Sequence, residues 1–110
     1  MRILSFNVKK QIIERDPSCD FSGLVAGTDG YIDAVFSFST DWDGCTKVVG
    51  FFSKGGEEEF EPCVLTKDNT CHIPKEALAY HEFEIKIYGK KEGCFITTRP
   101  IIIKQYGGIE

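Results

Sequence analysis

An all-β fold is expected: an immunoglobulin-like antiparallel β-sandwich of seven to nine short strands with one short helical turn. Three observations carry that expectation. Apolar and polar residues alternate with a period of two in segment after segment, and the helical period is almost absent. Turn-forming residues return about every ten positions, the spacing of a sandwich or small barrel. No segment is long enough to supply the dozen-residue crossover helices that parallel strands usually need. The 110 residues, 42% hydrophobic and 27% charged, suit one domain with one core, placed at 1–106, followed by a flexible end at 107–110.

Each element has a local cause. Arg2 to Ile13 opens with Ile3, Leu4, Phe6 and Val8 and predicts one strand, ended by Asp16-Pro17-Ser18. Asp20 to Gly30 holds three glycines and little pattern, with Leu24-Val25-Ala26 as a short strand at most. In Tyr31 to Phe38 the residues Ile32, Ala34, Phe36 and Phe38 share one face and Tyr31, Asp33, Val35 and Ser37 the other. A polar loop around Trp42 leads to a Val/Phe-rich strand, Lys47 to Ser53. Lys54-Gly55-Gly56-Glu57 predicts a two-residue hairpin turn, because both glycines accept positive φ. Glu58 to Leu65 is expected to return beside it, with Pro62 at an edge or bulge.

Lys67-Asp68-Asn69-Thr70 is a further turn, and Cys71-His72-Ile73 a short strand. Pro74 to Ala79 is the one helix-like stretch, with proline in its first turn. Phe83, Ile85 and Ile87 are predicted inward, with Glu84, Lys86 and Tyr88 outward. Gly89 to Gly93 is expected to turn the chain, before strands at Cys94 to Thr98 and Pro100 to Tyr106.

Several chemistries are excluded or weakened at once. The formal charge is −4, and no basic stripe suits a nucleic acid. Nothing approaches the ~20 apolar residues of a membrane span. Lys9-Lys10 breaks the N-terminus before it reaches signal-peptide character. Manufacture in a reducing cytosol is the expectation, and five widely spaced cysteines agree with it. Cys63, Cys71-His72 and His81 lack the close pairs of a zinc site. The offsets from Asp41 place Cys45, Thr46 and Phe52 where a calcium loop needs oxygen, glycine and glutamate. Gly55-Gly56 has no phosphate-loop context, and neither His72 nor His81 sits in a nucleophile motif. No cofactor and no enzymatic activity are expected.

What remains is contact. Trp42 either plugs the end of the sandwich or displays a flat face to a sugar or a protein. With Asp41 and Asp43 beside it, the second case would make a carbohydrate-binding module. Glu57, Glu58 and Glu59, with Glu61, form either a solvated edge that discourages aggregation or a dock for a basic partner. The latter would suit a small acidic inhibitor of a host defence enzyme. Tyr31 and Tyr88 point away from the expected core and are further candidate contacts, as is the 89–93 turn.

Phe36-Ser37-Phe38-Ser39-Thr40-Asp41-Trp42-Asp43-Gly44-Cys45-Thr46-Lys47 resembles a module of phages of Gram-positive bacteria. The similarity is to the N-terminal immunoglobulin-like domain of upper baseplate and tail- or head-fibre proteins, with its "W-[DE]-G-x-T-K" loop. Asp68 to Pro74 resembles that module's "D-x-T-C-x-[VI]-P" strand end, and Glu84 to Gly89 its "V-x-V-Y-G" strand. Ile96-Thr97-Thr98 is similar to its "I-x-T" strand. Lys75 stands where the family usually has tryptophan. The resemblance implies a virion structural or adaptor role without chemistry, in a protein made in the host cytoplasm. Its implied partners are other phage structural proteins and copies of itself. Trp42, Tyr31 and Tyr88 would then be anchors.

Overall fold

A computed structural model describes residues 1–110. In chain order the strands are β1 (Arg2–Lys9), β2 (Ile12–Arg15), β3 (Ile32–Phe38), β4 (Thr46–Ser53), β5 (Cys63–Val64), β6 (Thr70–His72), β7 (Glu82–Lys91), β8 (Cys94–Thr97) and β9 (Ile101–Lys104). One helical turn, α1 (Lys75–Leu78), lies between β6 and β7. The first sheet runs β2-β1-β3-β6; the second runs β5-β4-β7, with β8 and β9 in succession along the far edge of β7. The sandwich is as the alternation predicts.

Its core forms where the inward rows meet. Leu4, Phe6 and Val8 of β1 and Ile32, Ala34 and Phe36 of β3 face Val49 and Phe51 of β4 and Phe83, Ile85 and Ile87 of β7. Burying each large side chain contributes about 1.5–3 kcal/mol. Phe6 and Phe36 stack with centroids 5.3 Å apart and planes 19° from parallel. Ala77 and Leu78 seal the sandwich from α1. Pro74 is the cap residue just before that turn rather than within it, and its carbonyl accepts from the Ala77 and Leu78 N–H groups.

One pair departs from the antiparallel expectation. β1 and β3 are parallel, in register from Arg2 opposite Ile32 to Val8 opposite Phe38. Segment 16–31 makes the return as a loop, so no crossover helix is needed. Two short turns shape it: Asp16 Oδ1 accepts from both N and Oγ of Ser18, and Asp20 Oδ1 does the same with Ser22. These bonds hold both carboxyls below the usual aspartate range. Arg2 then fastens the loop by donating from Nη2 to the carbonyls of Asp20 and Ser22.

The expected first strand is in fact a hairpin. The chain reverses at Lys10-Gln11, where Lys10 holds φ at 55°. That left-handed conformation costs a non-glycine residue about 1–2 kcal/mol. Ser39 Oγ accepts from the Lys10 N–H, and Trp42 Nε1 donates to the Lys10 carbonyl at 2.8 Å. The turn is therefore imposed from the far side of the loop. Lys10→Gly is expected to stabilise the fold by about 0.5–1 kcal/mol, measured as a higher urea midpoint at unchanged m-value.

Elsewhere proline and glycine set the limits. Gly55 and Gly56 take φ of 76° and 72°, but the Ser53 N–H donates to the Glu58 carbonyl at 2.9 Å, so residues 54–57 form a longer loop in place of the two-residue turn expected from the glycine pair. The return leg pairs only at Glu59 with Phe52 and over the two residues of β5, because Pro62 offers no N–H. β7 runs on to Lys91, so the following turn is Glu92-Gly93 and starts later than expected. Pro100 divides β8 from β9. There Ile87 N–H donates to Thr98 Oγ1 at 3.0 Å instead of to a backbone carbonyl.

The open margin between β2 and β8–β9 is stitched by Gln11 Nε2 to the Thr97 carbonyl and Arg15 Nη2 to the Ile102 carbonyl. At the other margin, Cys63 of β5 and Cys71 of β6 sit opposite the inward residues Val49 and Ala34 and pack on the core. Burial, with the Cys63 thiol next in order, pushes the Cys71 thiol far up. Residues 107–110, expected as a flexible end, are tied down. Ile109 N–H donates to the Ala79 carbonyl at 3.0 Å, and His81 N–H to the Ile109 carbonyl at 2.8 Å.

Candidate interaction surface

The residues singled out in the sequence do not converge. Trp42 ends a tight turn, Thr40–Trp42, directly after β3, and this swings its ring inward to 0% exposure. Its centroid lies 5.2 Å from that of Phe38, and it packs against the backbone of Gly89, where a Cβ would stand 2.6 Å from ring atom Cζ3. Its N–H is satisfied by Lys10, as a buried indole requires. Trp42 is thus the plug and not an exposed anchor, which corrects that expectation. A sugar-stacking platform on this residue is lost with it.

Asp41 and Asp43 stay exposed at the same end of the sandwich, and their backbone carbonyls accept from Lys91 Nζ at 3.2 and 3.0 Å. Tyr31 is 50% exposed at the start of β3, at the opposite end of the other sheet. Glu57, Glu58 and Glu59 lie beyond the end of β4, all exposed. Glu58 is engaged within the fold: its Oε2 accepts from the Tyr80 hydroxyl at 2.9 Å, which pushes that phenol above its ordinary value.

Tyr88 leads somewhere else. It lies on the outer face of the second sheet, half-buried, with its ring stacked on Phe95 at 6.2 Å and 19°. Strand register orders this face into rungs. One rung is Val64, Val48, Tyr88 and Thr97. Beside it, Thr46 pairs with Lys90 and Lys90 with Phe95. On the other side Gly50 pairs with Lys86, followed by Glu59, Phe52, Glu84 and Ile102. Gly50 keeps the middle low, since a Cβ there would meet the Phe52 ring at 2.9 Å and the Tyr88 ring at 3.3 Å.

The result is a flat apolar band across four strands. Phe95 is 65% and Val64 62% exposed, with Val48, Phe52 and Tyr88 half-buried between them. A shallow hollow of about 360 Å³ lies over Thr46, Val48, Tyr88, Lys90 and Phe95. Lys86 Nζ sits 5.6 Å from the Tyr88 centroid, within cation–π range. The outer face of the first sheet is mixed: Ser5, Asn7, Ser37, Thr70 and a hydrogen-bonded Asp33 and His72 lie beside Ile3, Ile12 and Val35, so its apolar side chains are interrupted by polar ones. Of this band, only Tyr88 was legible as a contact from the sequence; Val48, Phe52, Val64 and Phe95 were missed. Outward alternation along β4 and β7 was the signal that could have found Val48 and Phe52.

Cys71 and His72, adjacent in sequence, point to opposite sides of β6: Cys71 is buried and the His72 side chain 76% exposed. They cannot serve one metal ion together. Compared with known proteins, the chain matches no family model and no curated protein sequence.

Proposed function

We propose that this chain is a non-enzymatic assembly module of a phage particle, an adaptor in a baseplate, fibre or head decoration. It docks through the outer face of its second sheet. The exposed band of Val48, Phe52, Val64, Tyr88 and Phe95 carries the reading. Scattered apolar side chains are ordinary on a monomer, whereas a continuous aromatic and aliphatic stripe rimmed by charge marks a contact surface. The motif resemblance of residues 36–47, 68–74 and 84–89 supports placing that contact in a virion.

The test uses particles purified from the phage that encodes the chain. The wild-type protein is expected in them at a fixed copy number by quantitative mass spectrometry. Phe95→Lys, at an exposed position that the fold does not need, is expected to reduce incorporation at least tenfold, the loss of the most exposed aromatic of the band. Tyr31→Lys on the other sheet serves as the control and should incorporate normally. Absence of the wild-type chain from particles, or normal incorporation of the Phe95 variant, overturns the proposal.

A further inference from the structure

Five cysteines are free in the fold, and two of them meet. Cys63 on β5 lies opposite Val49 of β4, and Cys71 on β6 lies opposite Ala34 of β3. Each thus belongs to the inward row of its own sheet. β5 and β6 are the end strands of the two sheets, on the same margin of the sandwich. Facing sheets ordinarily stand about 10 Å apart, too far for two cysteines to bridge.

Here the connection between the two strands draws the margin shut. Leu65 N–H donates to the Lys47 carbonyl and Phe36 N–H to the Asn69 carbonyl, which fastens one end of the connection to each sheet. Between those anchors the chain folds back on Thr66. Its carbonyl accepts from the Asn69 N–H at 2.9 Å and its Oγ1 from the Thr70 N–H at 3.2 Å. Cα atoms of β5 and β6 consequently approach within 8 Å, and the Cys63 and Cys71 side chains lie within hydrogen-bonding reach of each other. A disulfide, with Cα atoms about 4.4–6.8 Å apart, closes from such a contact by side-chain rotation and a small shift of the edge strands.

The other cysteines are placed differently. Cys19 sits on the 16–31 loop, where its Sγ accepts from the Ser5 N–H. Cys45 leads into β4 and Cys94 opens β8, so β7 runs between them. The close pair is also asymmetric: Cys63 is half-buried, while Cys71 is 5% exposed. Burial, and after it the neighbouring Cys63 thiol, keep the Cys71 thiol protonated. The first reaction with a reagent from solvent therefore falls to Cys63.

We propose that Cys63 and Cys71 form an oxidation site, whose disulfide clips the two sheets together once the chain is outside a reducing compartment. The oxidant is a disulfide of low molecular weight, such as oxidised glutathione. The Cys63 thiolate attacks one of its sulfurs, forming a mixed disulfide and releasing one thiolate. Cys71 gives up its proton to solvent, attacks the Cys63 sulfur and expels the second thiolate. Two electrons pass from the cysteine pair to the reagent, which leaves as two thiols. Capping Cys63 also removes one of the two influences that hold the Cys71 proton. The clip secures a strand that is otherwise weakly held, since β5 has two residues and follows Pro62. Val64, beside Cys63, belongs to the exposed band, and the clip ties that edge of the band to the first sheet whether or not the band docks a partner.

Incubating the folded, purified chain with oxidised glutathione, then alkylating and digesting it with trypsin, tests the proposal. Lys67 lies between the two cysteines, so the disulfide holds peptides 55–67 and 68–75 together at their summed mass less two hydrogens. That linked pair is the expected product, with Cys19, Cys45 and Cys94 joined to no other part of the chain. The melting temperature is expected to rise by at least about 5 °C and to return on adding dithiothreitol. Cys63→Ser, at a half-buried position, should lose both the link and the rise; should it fail to fold, the peptide map of the wild-type chain decides alone. Cys63 and Cys71 left as thiols or ending as separate glutathione adducts, or a link from either to another cysteine, overturns the proposal. So does a clip that leaves the melting temperature unchanged or lower.

Discussion

Trp42→Ala is expected to cost about 3–5 kcal/mol, a large share of the roughly 5–15 kcal/mol that holds a domain of this size together. The ring is fully buried at the end of the sandwich, against Phe38 and the backbone of β7. Its removal opens a cavity. It also strips the Lys10 carbonyl of its donor, at a turn held in a left-handed conformation without glycine. Trp42→Phe, which keeps most of the apolar contact and loses the N–H, should cost about 1–3 kcal/mol from the unpaired carbonyl and the reduced ring. Both are read as urea midpoints at constant m-value.

A second substitution makes the claim sharper. Gly89→Ala places a methyl group 2.6 and 2.7 Å from two Trp42 ring carbons and is expected to cost about 1–3 kcal/mol through overpacking. In a Trp42→Ala background the same change meets no indole, so its cost should fall toward that of an ordinary strand substitution. Non-additivity of that size is the signature of direct contact. Additive losses would mean that the indole does not lie on Gly89. A loss under about 1 kcal/mol for Trp42→Ala would show that the end of the sandwich has no plug.

The contrast between Trp42 and Phe83, Ile85 and Ile87 shows what the sequence made legible. The β7 residues announce their burial by alternation, and each is 0% exposed. Trp42 sits in a polar loop where period-two logic gives no direction, and the tight turn after β3 alone decides that the ring goes in. The Lys10 reversal was hidden for a related reason. No glycine, asparagine or aspartate marks it, and the bonds that hold it come from residues 39 and 42. The parallel pairing of β1 with β3 escaped the usual rule because a loop with aspartate–serine turns, rather than a helix, carries the return. The docking band depends on register between strands far apart in sequence. Val64, Val48, Tyr88 and Thr97 form one rung only after four segments pair.

The C-terminal end offers the last large effect, because a pair of glycines there has the signature of slack and behaves otherwise. Gly108→Ala is expected to destabilise by about 2–4 kcal/mol, although the position is exposed. Its φ of +92° is left-handed, and a Cβ would lie 2.7 Å from Ala26 Cβ and 2.8 Å from both the Ala79 carbonyl oxygen and the His81 nitrogen. Those last two atoms are the ones that bond Ile109 into place. The clash would thus fall on the hydrogen bonds that dock the end between α1 and β7. Gly107→Ala is the internal comparison. It shares a positive φ of +71° but has nothing within 4 Å of the added carbon, so only the conformational penalty of about 1 kcal/mol is expected. For a chain of this length each kcal/mol moves the melting temperature by about 4–6 °C, so the two variants should separate clearly. Equal and small shifts would mean that the end is free after all. A much larger loss for Gly108 places it among the residues that hold the sandwich closed.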